Sequence, residues 1–174
     1  MTKEYILAVN TSDCVGCSAC EVACKQEHNL PVGPRWIRVY SDSPREIEGK
    51  LQLRYIVAHC MHCSQPPCKD VCPVEAIYKR EDGIVIFDEE SCIGCKDCID
   101  ACPLGVVQFD SAKGVAQKCD LCVERLDKGL PPACAAACPS HCIYFGDIKE
   151  ITEIVGKQKL LSWYKVAATE NSNY

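Results

Sequence analysis

No run of about 18 consecutive apolar residues occurs in this chain, so its sequence offers no helix long enough to cross a bilayer. Long basic runs are missing too, and the formal net charge is -5. Phosphate contact asks for clustered Lys and Arg, so nucleic acid is not expected as a partner. The opening residues, MTKEYILAVN, carry no signal-peptide h-region, no A-x-A-like cleavage site and no twin arginine. A cytoplasmic location is therefore expected, unless a folded partner with its own export signal takes this chain along. There is no Gly-rich nucleotide loop and no cysteine set up with a histidine as a nucleophile, which argues against an active site of its own. Aromatic residues are scarce: two Trp, three Phe and seven Tyr among 174 residues. A chain this size with so few large side chains needs something besides an aliphatic core, such as disulfides, metals or a partner surface.

What the chain has instead is cysteine, 17 in all, far above ordinary usage. The first four, Cys14, Cys17, Cys20 and Cys24, follow C-x2-C-x2-C-x3-C in CVGCSACEVAC. The same spacing returns in CIGCKDCIDAC, at Cys92, Cys95, Cys98 and Cys102. The match extends upstream without a gap, Tyr5–Cys24 against Gly83–Cys102, so each quartet is preceded by a short strand-like run ending at Val9 or Phe87. A second pair is looser. Cys60, Cys63, Cys68 and Cys72 are spaced C-x2-C-x4-C-x3-C-P, and Cys119, Cys122, Cys134 and Cys138 are spaced C-x2-C-x11-C-x3-C-P. Both carry Pro-Pro just before the third cysteine. The quartets alternate A, B, A, B and use sixteen of the seventeen cysteines. Three of them end in a Cys-Pro corner followed by an apolar strand-like run. Hairpins are expected around Asp82-Gly83 and around Asp110–Gly114, with brief helical turns in runs such as CAAAC.

Four thiols within eleven residues would make strained local disulfides, and a reducing compartment disfavours them in any case. Soft thiolates select iron–sulfur clusters, zinc or Cu(I). Cysteines three residues apart suit three corners of a [4Fe–4S] group, and in two-cluster ferredoxins the fourth Cys of such a run serves the other cluster. Zinc remains the rival for Cys119, Cys122, Cys134 and Cys138, whose pairs are far apart as in a zinc ribbon. Cys142 falls where Ala76 and Val106 stand in the other tails, which reads as a small buried side chain. No quartet lacks a thiol, so His28, His59, His62 and His141 are expected in structural roles. Lys25, Arg38, Lys69, Lys96 and Lys118 lie around the cysteine loops, where they could offset the negative charge of bound clusters, but solvated surface charge is the expectation for any one of them. RWIRVY reads as a strand, SDSPREIEGK as an exposed turn, and Lys157–Ala168 as a helix with Leu160, Leu161 and Tyr164 on one face.

On these quartets the sequence resembles, over about residues 4–147, the four-cluster ferredoxin-like electron-transfer subunits of molybdenum and tungsten bis-pterin oxidoreductases. The resemblance implies an α+β fold of two ferredoxin-like two-cluster modules, one nested within the other, with small β-hairpins and short helices around the clusters. The outer module would take residues 1–54 and 118–150, and the inner one 55–117. Residues 151–174 would form a C-terminal extension with a possible partner-docking helix. Four [4Fe–4S] clusters are implied. Their ligand sets would be Cys14, Cys17, Cys20 and Cys138; Cys60, Cys63, Cys68 and Cys102; Cys92, Cys95, Cys98 and Cys72; and Cys119, Cys122, Cys134 and Cys24. The implied function is relay of single electrons to or from a large catalytic subunit holding a tungsten or molybdenum bis-pterin. A further redox subunit or a soluble carrier would complete the path, and the chain itself would be non-catalytic. A free polyferredoxin and a zinc-binding interaction module are the alternatives.

Overall fold

The computed structural model describes residues 3–47, 49–161 and 163. Within them lie ten short strands, paired as five two-stranded antiparallel sheets, and six helices, most of a single turn. Among the described residues no sheet grows beyond two strands, and each strand is only three to five residues long.

The ends of the chain are joined. β1 (Tyr5–Val9) pairs with β10 (Ile143–Asp147), Tyr5 opposite Asp147 and Val9 opposite Ile143. Period-2 alternation gives β1 two buried faces. Leu7 and Val9 turn towards Cys20 and Cys24 in the main core, while Ile6 and Ala8 meet Ile151, Leu160 and Trp163 on the other side. That second face is covered by α6 (Ile148–Val155) and by the helical residues 157–161. The α6 N-terminus is capped by Asp147, whose carboxylate accepts from the Lys149 and Glu4 backbone N–H groups. These two bonds, with burial opposing them, hold its pKa below the usual value. Of the helical face expected near the C-terminus, Leu160 is buried but Leu161 is half exposed; Trp163, three residues after Leu160, takes the inner position. Tyr164 and the TENSNY tail lie outside the described residues.

The two expected hairpins form. β6 (Ile77–Lys79) pairs with β7 (Val85–Phe87), and β8 (Gln108–Asp110) with β9 (Val115–Gln117). Their turns follow from side-chain chemistry: Asp82 Oδ1 accepts from Ile84 N, and Asp110 Oδ1 accepts from Ala112 N and Lys113 N. Those bonds are why Asp110 can be buried. In the insertion, β2 (Ile37–Ser41) pairs with β5 (Tyr55–His59). The stretch expected as an exposed turn is exposed but strand-like, β3 (Arg45–Ile47) against β4 (Lys50–Gln52). Its backbone groups find partners across the hairpin.

Each remaining helix sits in a cysteine quartet. α1 (Ala19–Glu27) holds Cys20 and Cys24, and α2 (Pro67–Asp70) holds Cys68. α3 (Asp97–Asp100) holds Cys98, α4 (Val123–Leu126) follows Cys122, and α5 (Ala133–Ala136) holds Cys134. α1 packs against α5, and α2 against α3. Aliphatic residues alone do not make the core. Cys20, Cys24, Cys60, Cys119, Cys134 and Cys138 are buried among Leu7, Val9, Trp36, Ile37 and Leu121, and Cys68 and Cys98 among Ile77, Val85 and Val107.

Candidate metal centres

Every quartet turns its chain the same way. The residue two after the first cysteine has a left-handed backbone in all four: Gly16 (φ 69), His62 (φ 47), Gly94 (φ 72) and Leu121 (φ 58). Each Cys-Pro tail repeats the device three residues after the cysteine, at Glu75, Gly105 and His141. Left-handed turns aim successive N–H groups into a concavity that suits anions, iron–sulfur groups among them. Two such N–H groups already bond to cysteine sulfur, His62 N to Cys60 Sγ and Leu121 N to Cys119 Sγ, each at 3.4 Å. For a non-glycine residue this conformation costs about 1–2 kcal/mol, so packing must hold it. Leu121 is 1% exposed, which provides that hold. At Gly94 the space is closed as well: a Cβ would run into the Gly114 carbonyl oxygen of the β8–β9 turn.

The fold brings together cysteines that are distant in the chain. One cavity is lined by Cys60, Cys63, Cys68 and Cys102, with Lys118 in its wall. Another is lined by Cys72, Cys92, Cys95 and Cys98. In both, three cysteines of one quartet are met by the last cysteine of another. The remaining thiols other than Cys17 influence one another. Burial raises the Cys20 pKa to about 12, and Cys14 and Cys138 are the thiols that add to it. Cys24 is raised by burial and then by Cys134 and Cys122, while Cys119 is raised by burial and then by Cys134 and Cys24. Burial likewise takes Cys134 to about 12 and Cys122 to about 11. All seventeen cysteines are free thiols. Burial and mutual repulsion disfavour the thiolate forms of such closely packed cysteines, and a soft cation that takes them as ligands offsets that penalty. A donor set of four thiols around one space fits a [4Fe–4S] group, with no disulfide to compete.

Nearby polar groups complete the sites. His28 Nε2 lies 3.2 Å from Cys122 Sγ and 3.5 Å from Asp120, and its ring leans on Trp36 at 4.4 Å between centroids. His59 is buried with Nδ1 3.0 Å from the Cys60 carbonyl oxygen, and burial lowers its pKa. His62 Nδ1 accepts from Val85 N at 3.0 Å, which leaves Nε2 as the N–H; that atom has no protein partner among the described residues. Burial first, then the Lys118 charge, keeps His62 neutral. The seventeenth cysteine, Cys142, is 2% exposed, as its counterparts Ala76 and Val106 are nearly so, and its Sγ lies 3.5 Å from Cys138 Sγ.

The basic residues divide. Lys25 binds the Pro31 and Pro34 carbonyls, and Lys96 lies 4.2 Å over the Phe109 ring. Lys118 corrects the expectation of solvated charge: it is 3% exposed. It directly follows the fully buried strand β9, and that register carries it inward to the second-quartet cavity.

Residues 51–148 match the 4Fe-4S dicluster domain family, a span that takes in the second, third and fourth quartets. The chain is 37% identical to the thiosulfate reductase electron transfer subunit of Salmonella typhi, over 92% of this chain and 85% of that one. It is 39% identical to the B subunit of the anaerobic dimethyl sulfoxide reductase of Escherichia coli, over 87% and 77%. It is 35% identical to the B subunit of the polysulfide reductase of Wolinella succinogenes, over 90% and 83%.

Proposed function

Because the chain belongs to the 4Fe-4S dicluster domain family, we propose that it is an electron-relay subunit of a larger oxidoreductase. The observation that carries this is the meeting of four thiols from two quartets around each of two cavities, in a chain whose relatives include a named electron transfer subunit. Four [4Fe–4S] groups are held by the sixteen quartet cysteines. Site A is Cys14, Cys17, Cys20 and Cys138, and site B is Cys24, Cys119, Cys122 and Cys134. Site C is Cys60, Cys63, Cys68 and Cys102, and site D is Cys72, Cys92, Cys95 and Cys98. Each group, when bound, takes up and returns one electron, while the chain sets its potential through N–H···S bonds, charge and burial.

Sites C and D make the inner module, residues 55–117, and sites A and B the outer one, residues 1–54 and 118–150. In support, α2 packs on α3 and α1 on α5, and β1–β10 ties the two ends of the outer module. The sites run in the order A, B, C, D. Cys20 and Cys24 are one turn apart on α1, Cys60 is an electrostatic neighbour of Cys119, and Cys68 is one of Cys98. Cys17 and Cys95 are exposed at the two ends, whereas all four thiols of site B are buried. Such an order lets one end face a catalytic partner and the other a donor or acceptor. The partner is a large subunit, of the molybdenum or tungsten bis-pterin class that the sequence resemblance implies. No helix among the described residues is long and apolar enough to cross a membrane.

Anaerobically purified protein should contain about 16 irons per chain, four for each four-thiolate site, and should co-elute with a large pterin-containing chain. Iron content well below that value, or elution alone near 19.2 kDa from a native extract, would sink the subunit reading.

A further inference from the structure

A lysine side chain that is 3% exposed has lost its water and needs a counter-charge. Lys118 Nζ donates to two neutral oxygens, the carbonyls of Val85 at 2.5 Å and Cys119 at 2.9 Å. The Phe87 ring lies 5.2 Å away and offers only its π face. Among the described residues, no carboxylate forms an ion pair with it. What it does face is the cavity lined by Cys60, Cys63, Cys68 and Cys102, as part of that cavity's wall. Its third ammonium proton is left for that side, since two are committed to carbonyls.

We propose that Lys118 is the fixed counter-charge of site C, buried there to raise the reduction potential of that one site above what its thiolates and burial alone would give. This rests on the reading of site C as a [4Fe–4S] site. The direction follows from electrostatics. A four-thiolate [4Fe–4S] group goes from about -2 to about -3 on taking one electron. A fixed positive charge beside it stabilises the more negative form more, and a water-poor wall screens that interaction little. The two carbonyls hold the ammonium in place, so it cannot swing out to solvent. Lys79 does not duplicate the role: its ammonium also donates to two carbonyls, those of Cys63 and Ser64, but it stands outside the wall of that cavity and is only partly buried, so water screens its charge. In a relay ordered A, B, C, D, a raised potential at C makes the inner module a place where an electron rests between the ends.

The test is EPR-monitored potentiometric titration of the full-length, anaerobically purified holoprotein in three forms: wild type, Lys118→Met and Lys118→Arg. Site C is identified as the couple lost or altered in Cys68→Ser. Lys118→Met should lower the midpoint of that couple and leave the other three in place, while Lys118→Arg should hold it near the wild-type value. Four unchanged midpoints in Lys118→Met, or a shift in a different couple, would overturn the proposal. If Lys118→Met fails to assemble site C, the Arg variant decides: assembly there shows that the charge is required, and failure there shows that it is not the charge that matters. A wild-type protein lacking four couples would instead defeat the underlying reading of the sites.

Discussion

Cys24 sits one helical turn after Cys20 in the same quartet, yet the sequence resemblance assigns the two to different sites. Their surroundings separate them. Cys20 is influenced by Cys14 and Cys138, whereas Cys24 is influenced first by Cys134 and Cys122, and both side chains are buried. Residues four apart on a helix share a face but are displaced along it by about 6 Å, enough to serve two adjoining sites. Cys24→Ala should therefore abolish or alter the EPR signal of site B and leave that of site A intact. Loss of the site A signal alone in that variant would show that the crossed ligand sets are wrong. The quartet cysteines were legible because their spacing is itself the signal. Lys118 was not, because burial of a lysine depends on where the preceding strand is carried. His28 was not placed either: its contact with Cys122 spans 94 positions of sequence and is made by the fold.

The elements that could be read in advance are those whose reasons are local. Asp82-Gly83 and Asp110–Gly114 specify their turns by side-chain acceptors and positive φ, so β6–β7 and β8–β9 were expected where they occur. The strand character of β1 was visible from its alternation, but its partner was not: β10 begins 134 residues beyond the end of β1 in number, and nothing in either run names the other. The β3–β4 hairpin was not expected, since Pro44, Gly49 and the charged residues between them read as an exposed turn. One element contact can be tested directly. The third-quartet loop lies against the β8–β9 turn at Gly94, where a Cβ would overlap the Gly114 carbonyl oxygen. Gly105 has a similar φ, 58 against 72, but open space beside it. Gly105→Ala should cost about 1–2 kcal/mol, the left-handed penalty alone. Gly94→Ala should cost more, because the backbone of the turn must move, and should release iron from site D sooner on warming. Equal thermal shifts for the two variants would mean that the loop does not bear on the hairpin.

At the scale of the whole chain, the question is what holds ten strands in five separate pairs together. Among the described residues no sheet extends from one pair to the next, and the buried set contains nine of the sixteen quartet cysteines alongside small aliphatic residues. With the ligand sets proposed for sites A and B, which join Cys14 to Cys138 and Cys24 to Cys119, bound metal would close loops of roughly a hundred residues. Free energy of metal binding to such a site is folding free energy, because the unfolded chain has no preformed site. Removing iron should therefore abolish the cooperative thermal transition, with large loss of far-UV circular dichroism and rapid proteolysis across both modules. A sharp melt retained by the iron-free chain would show that its aliphatic core suffices. The pH dependence of any residual iron-free structure has a definite sign. Thiols such as Cys20, Cys98 and Cys134 are moved by burial from 9.0 to about 12, so the folded form prefers them protonated. Below pH 9 they are protonated folded or unfolded and cost nothing further. Above it the unfolded chain ionises first and gains stability, so residual structure should melt away progressively between pH 9 and about 12. The iron-loaded protein should lack this alkaline transition, because its thiols are already ligands rather than acids. Circular dichroism at 222 nm, followed against pH for both forms, would separate the two cases.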